Sequence, residues 1–337
     1  MSNIENLPLP GEEALIAQVL DAVLEKQRSE HRAGEVARRN QHAKSHGVVK
    51  ARFRVLRQMP GLRVGLFAEP RVYDALVRFS NGGGGPNKPD ALPNVRGVAI
   101  KVLGVQGKKL LPGDEDSLEH DFLLANHPTF FCSSIEELLF LMKGNKRKLL
   151  LENPRLALRL GQSLLKPVAN PLHLEYFSQV PYRLGGFACK YFLRPAEHVR
   201  SFPDLVDGDF LRHALEDTLA DRPWSFIFGV QMPSNDFMKE SIDGTHRGAV
   251  QRLIENPTIK WTGPQFALAE LTILQRSEPI KESDGEALSW NPWRALPEHE
   301  PLSWVGRTRK VVYSADFKWR TDENAKLAQF GKPGGSL

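Results

Sequence analysis

The sequence predicts an α+β chain: an antiparallel β-barrel or sandwich with an N-terminal helical arm and helical insertions. Three observations predict it. Seven stretches alternate apolar and polar residues with the period of two expected of strands. These strands do not alternate regularly with helices, which argues against a parallel βαβ sheet and for a barrel or sandwich. A few segments switch to helical spacing, one at the front of the chain and the others between or after strands.

"GEEALIAQVLDAVLEKQR" comes first, with Ala14, Leu15, Val19, Leu20, Val23 and Leu24 at helical intervals. Glu12 and Glu13 favour its N-terminus, and it reads as an arm over residues 1–35 that packs on a core. At residue 47 the period changes. "VVKARFRVL" puts Val49, Ala51, Phe53 and Val55 on one face and Lys50, Arg52 and Arg54 on the other. "RVYDALVRFS", "VRGVAIKVLG" and "HDFLLAN" follow as strands. Next come two helices. "SSIEELLFLMKG" has a serine cap and early acids, and "NPRLALRLGQSLLK" has Asn153 as cap with Pro154 at the first helical position. "GFACKYFL" alternates Phe187, Cys189, Tyr191 and Leu193 against Ala188, Lys190 and Phe192, and "WSFIFGVQM" alternates from Trp224 to Met232. "FALAELTIL" is the last strand, and "SWVGRTRKVVYSADFKWR" reads as helix throughout. With no repeat, low-complexity segment or linker, residues 36–330 form one domain, followed by a tail, 331–337.

The 337 residues are 41% hydrophobic and 25% charged, an ordinary globular composition able to bury one large core. The net charge of +5 comes from scattered Lys and Arg rather than a clustered face, so no nucleic-acid partner is expected. Cys132 and Cys189 lack metal or disulfide-framework spacing and suit a reducing compartment. The acidic N-terminus is unlike a signal peptide, and no apolar run reaches the roughly 18 residues of a membrane span. The expectation is a soluble cytoplasmic protein.

"RNQHAKSHG", residues 39–47, sets two histidines four apart just before the first strand. From the residues alone it is a metal-binding pair, a catalytic base or a polar loop; no HExxH acid or third ligand supports the first. "NGGGGPNKPDALPN", residues 81–94, lacks the Lys-Ser/Thr of a phosphate loop and reads as a connection between strands.

In order, these segments resemble the haem catalases over roughly residues 30–325. "RNQHAK" is similar to that family's Arg-x-x-His-Ala-Lys before the first barrel strand. "VRFS", a Gly-rich loop and "VRGVAIKV" resemble VRFS…RGFAVKF; "DFLLANHPTFF" resembles DLVGNNTPVFF; "RKVVYSADFKWR" keeps R-x-x-x-Y and an arginine seven residues later. The resemblance implies an antiparallel catalase-like β-barrel holding haem b. It implies His42 as the distal acid–base, whose pKa class suits moving a proton between peroxide oxygens, with Asn126 as the distal amide and Ser80 orienting the imidazole. It implies Tyr313 as iron ligand, with Arg309 one turn earlier favouring the phenolate. Arg39, Arg78 and Arg320 match arginines that neutralise the haem propionates through forked donors. Phe131, with Phe130, matches a pocket wall, and His46 is a bystander.

The chain also departs from that family. It is shorter, stopping soon after the proximal helix, so neither bound NADPH nor an interwoven tetramer is expected; a monomer or homodimer is. Gln41 stands where those catalases have valine, and His127 replaces a threonine. The expected activity is haem-dependent hydroperoxide processing, peroxidase with weak catalase action, on hydrogen peroxide or organic hydroperoxides. The alternatives are a fatty-acid hydroperoxide dehydratase or isomerase, like an allene oxide synthase, and a non-catalytic haem-binding module. Residues 143–166 carry seven Lys or Arg against one Glu among leucines, a pattern that suits a fatty-acid carboxylate or peripheral lipid contact.

Overall fold

The computed structural model describes residues 4, 6–32, 34–143, 146–165, 168–199, 201–234, 247–276 and 282–330. The strands are β1 (Ser45–Val55), β2 (Val72–Asn81), β3 (Arg96–Leu103), β4 (Glu119–Ala125), β5 (Tyr176–Phe177), β6 (Tyr182–Leu184), β7 (Phe187–Pro195), β8 (Trp224–Gln231) and β9 (Gln265–Ile273). The helices used below are α1 (Glu12–Glu30), α2 (Ile135–Lys143), α3 (Lys146–Glu152), α4 (Pro154–Leu164), α5 (Phe210–Asp221), α6 (Arg247–Glu255), α7 (Glu282–Ala287) and α8 (Ser303–Phe330). None of them is long and apolar enough to cross a membrane.

Every strand pairing is antiparallel. The order β5-β4-β3-β2-β1-β9-β8-β7 closes on itself through pairing of β5 with β7, giving an eight-stranded barrel from which β6 extends. Closure satisfies the edges that an open sheet would expose. The strand of two residues that closes it was invisible to periodicity, because two residues cannot display an alternation.

Alternation along β1 is as its sequence predicts: Val49, Ala51, Phe53 and Val55 are buried, while Lys50, Arg52 and Arg54 are exposed. The barrel interior is aromatic. Phe122 meets Phe228 at 4.8 Å and Tyr191 at 5.0 Å between ring centroids, and Phe53 meets Phe228 at 5.3 Å. His299 is sealed among them. Its Nε2 accepts the Leu66 N–H at 3.0 Å, which leaves Nδ1 to donate to the Tyr191 hydroxyl at 3.0 Å. Burial holds this imidazole down to about 3, so it stays neutral.

One expectation is corrected. Phe187 does not join the buried face of β7; it is exposed at the strand's start, while Lys190 on the other face is buried over the Trp261 ring. The cap expected at Asn153 is present: its side chain accepts the Leu156 N–H at 3.2 Å and opens α4, with α3 preceding it. The helix predicted near the front of the chain forms as α1. Glu12 pairs with Arg307 of α8, and Gln27 donates to Asp316 of the same helix. Arg307 also pairs with Glu255 of α6 at 3.0 Å, so one guanidinium ties three helices together.

Phe228 touches several of these rings and is fully buried. Phe228→Ala is expected to cost about 3–5 kcal/mol through lost burial and a residual cavity, measured by urea unfolding of the purified protein.

Candidate functional site

Register builds one wall of the site. In β2, Val77 and Phe79 belong to the barrel core, so Arg78 and Ser80 face outward. Pairing of β2 with β3 sets Arg78 opposite Ala99 and Ser80 opposite Gly97. Pairing of β3 with β4 extends both rows, to Leu123 and to Ala125. The outer face of the barrel therefore presents two rows, Arg78–Ala99–Leu123 and Ser80–Gly97–Ala125. All six residues line a cavity of about 360 Å³, within the range of ~300–1,000 Å³ typical of small-molecule sites. The facing wall is α8, which contributes Arg309, Val312, Tyr313, Asp316, Phe317 and Arg320. Their spacing of three and four residues puts them on one side of a helix.

His42 enters between these walls in a left-handed backbone conformation, φ 60°, uncommon for a residue with a side chain. Its neighbours hold it there. The His42 N–H donates to the Gly82 carbonyl at 3.0 Å, and its own carbonyl accepts from Arg78 at 2.8 Å. The ring lies over Gly97: a β-carbon at that position would come within 2.3 Å of Cε1 and 2.4 Å of Nδ1. Nδ1 is 2.9 Å from the Ser80 hydroxyl oxygen, which sets the ring's orientation and leaves Nε2 as the other nitrogen. Burial, then the charges of Arg78, Arg309 and Arg39, push the imidazole down to about 3, so it is neutral at physiological pH.

At one end of the cavity three guanidiniums crowd together. Arg39 reaches Glu286 of α7 at 2.6 Å, Arg78 reaches the same carboxylate oxygen at 3.4 Å, and Arg320 donates to the Glu286 carbonyl at 2.8 Å. The only other carboxylate tied to an arginine of this cluster is Asp316, 3.2 Å from Arg320, among the described residues. Burial and then Arg78 lower Arg39 to about 9, with Arg320 adding to the repulsion against the pull of Glu286. This wall holds more positive than negative charge, out of water. Such an excess fits a ligand bearing carboxylates.

Seven of the residues singled out in the sequence thus line one cavity: Arg39, His42, Arg78, Ser80, Arg309, Tyr313 and Arg320. Two do not. Asn126 follows the last residue of β4 and points away from the outer rows; its Oδ1 accepts the Arg96 N–H at 2.8 Å. The cavity-facing residue of that strand is Ala125, one position earlier, and strand alternation from the core residues Phe122 and Leu124 is the signal that locates it. Phe131 also lies off the cavity, stacked on Phe130 at 4.4 Å, and it is Phe130 that lies under Arg309 at 5.9 Å. His46 points elsewhere too, bonded to Asn81 at 2.9 Å, so the two histidines of residues 39–47 are not a metal pair. Among the described residues no three His, Cys, Asp or Glu side chains are grouped to hold a metal ion. Glu286, Gly97 and Gln179, the last with φ 63° and its amide donating to the Thr129 carbonyl, went unremarked in the sequence. Gly97 was reachable through strand register; Glu286 was not, since only the folded chain brings α7 to β2.

No protein-family model matches the chain. A protein named catalase-related peroxidase from Mycolicibacterium paratuberculosis (strain ATCC BAA-968 / K-10) is 29% identical over 267 residues, 73% of this chain and 78% of that protein. Among solved structures, a fungal catalase matches with a TM-score of 0.67 and 16% identity, covering 91% of this chain and 62% of its own. Catalase A from Saccharomyces cerevisiae matches at 0.66 and 15%, covering 88% and 63%. A bacterial catalase matches at 0.64 and 17%, covering 93% and 62%. The chain therefore spans less than two thirds of the length of these catalases, and it shares their fold.

Gly97→Ala is expected to push the imidazole off Ser80 while the barrel stays folded. The displaced His42 ring should change its imidazole proton resonances in NMR spectra, while the melting temperature stays close to that of the wild type.

Proposed function

We propose that this chain, catalase-like in fold and related in sequence to a catalase-related peroxidase, is a haem-dependent oxidoreductase acting on hydroperoxides. Peroxidase turnover is its main reaction and release of oxygen from hydrogen peroxide a minor one. One observation carries the reading: a Ser80-held neutral imidazole borders the same cavity as Tyr313 and Arg309, with the crowded arginines Arg39, Arg78 and Arg320 at one end.

The residues fit a porphyrin with two propionates. Tyr313 would ligate the iron, with Arg309 one turn away to favour the phenolate, and the three arginines would take the propionates. The cofactor would be haem b, held without covalent attachment, because neither cysteine lines the cavity. When bound, haem would supply the redox-active iron against which the O–O bond of a hydroperoxide is cleaved. The protein's own part is proton management. With Nδ1–H donated to Ser80, the Nε2 lone pair of His42 takes the proton from one peroxide oxygen and returns it to the other as that oxygen leaves. A neutral ring is required for the first half of that transfer, and the buried, arginine-rich surroundings keep it neutral.

The preference for peroxidase turnover rests on Ala125. The β4 position on the row of Ser80 and Gly97 is a methyl group, so this strand aims no amide donor at the peroxide oxygens. Preorganised donors of that kind contribute heavily where charge develops. Hydrogen peroxide and small organic hydroperoxides are the substrates of this reading.

Two measurements test it. The haem-loaded protein should give a high-spin ferric spectrum, and Tyr313→Phe should shift it and weaken haem retention by roughly tenfold or more; an unchanged spectrum and retention sink the ligand assignment. Ala125→Asn should raise oxygen release from hydrogen peroxide by roughly tenfold relative to oxidation of a phenolic reductant. Vigorous oxygen release by the wild type, not improved by this change, would overturn the peroxidase preference.

A further inference from the structure

Between β4 and β5 the chain leaves the barrel through α2, α3 and α4, and the cavity uses none of them. After Glu136 and Glu137, α2 reads Leu138, Leu139, Phe140, Leu141, Met142. Five consecutive apolar residues cover a helix on every side. None of the five is fully buried; each is half-buried, packing partly on the core. A helix apolar all round belongs in a protein interior or in lipid, yet this one lies at the surface.

The next two helices continue the anomaly. On α3, Leu150 is 65% exposed and Leu151 84% exposed. On α4, the buried side is Leu156 and Ser163, while Leu158 is 63% exposed and the adjoining Leu165 71%. Leu158 and Leu165 are seven residues apart and share a face, with Arg155 one turn before. Exposed leucines set among charges mark a contact surface.

Charge decides what it contacts. In sequence, residues 143–166 hold seven Lys or Arg and only Glu152 as an acid, and Lys143, Lys148 and Arg155 are exposed. A second copy docked on this face would meet it through a two-fold axis, setting like charges against each other around the leucines. An acidic protein would answer the charge but leave the apolar side chains without a purpose. An anionic bilayer answers both: leucines enter the acyl boundary while lysine and arginine stems reach the headgroups. We propose that α2, α3 and α4 form a docking face for the surface of an anionic lipid bilayer. The contact is peripheral and does not depend on the haem reading.

The test is co-sedimentation of the full chain with extruded vesicles of phosphatidylcholine alone or mixed equally with phosphatidylglycerol. Binding should be roughly tenfold stronger to the anionic vesicles and should fall at high salt. Leu158→Glu with Leu165→Glu should weaken it by roughly tenfold, and Arg155→Glu should weaken it less. Because these side chains are mostly exposed, the variants should keep the wild-type circular dichroism and melting temperature. The proposal is overturned by wild-type protein that ignores anionic vesicles, or by a folded double variant that binds them equally. It is also overturned by concentration-dependent dimerisation that the leucine changes abolish, which would make the face an interface between copies.

Discussion

The antiparallel register of β2, β3 and β4 is the constraint on which the site depends. Side chains alternate across a strand, so committing Val77, Phe79, Val98, Ile100, Phe122 and Leu124 to the barrel core commits their neighbours to the outer face. The rows Arg78–Ala99–Leu123 and Ser80–Gly97–Ala125 follow with no further choice. A slip of one residue in any of the three strands would exchange core and cavity. This wall of the site is therefore fixed by the barrel itself, and its smallest member matters for that reason: Gly97 is the floor on which the His42 ring lies.

The second wall depends on a different economy. Helix α8 must present Arg309, Tyr313, Asp316 and Arg320 to the cavity while keeping its axis fixed against the barrel. Its fixing is electrostatic at one end, where Arg307 joins Glu12 and Glu255, and α1 is tied to it again at Asp316 through Gln27. Buried ion pairs of this kind contribute little net stability, but removing one partner strands a charge out of water. They hold geometry rather than supply free energy. The arginines at the cavity's end follow the opposite logic. Three guanidiniums share Glu286; burial first and then their crowding depress Arg39, and a bound carboxylate would offset the crowding. That site is poised for an anionic group, while burial first and the same positive field second keep the nearby His42 neutral.

Beyond the cavity the molecule divides its apolar surface unevenly. The barrel interior is packed with aromatic rings, whereas α2, α3 and α4 leave leucines in solvent beside lysine and arginine. Core packing and surface docking draw on the same residue type, and only exposure tells them apart. This is why the basic stretch after α2, conspicuous as charge among leucines, could not be assigned from composition alone.

What the sequence by itself determined is the set of local patterns: period-two strands, the helix that opens on the acids Glu12 and Glu13, the helices with a serine cap and an Asn153 cap, and the helical spacing of Arg309, Tyr313 and Arg320. These are read from neighbours within a few residues; an antiparallel barrel or sandwich follows from their number and order, and the resemblance chose the barrel. It also brought together, through resemblance, seven residues that line one cavity. Tertiary structure decided the rest. It closed the barrel through a two-residue strand, carried Glu286 from α7 to the arginines, and turned Asn126 away while giving Ala125 the cavity row. The physical reason is that strand facing is set by pairing with partners distant in sequence. A motif match that is one residue out of step looks the same in a string of letters and opposite in a sheet.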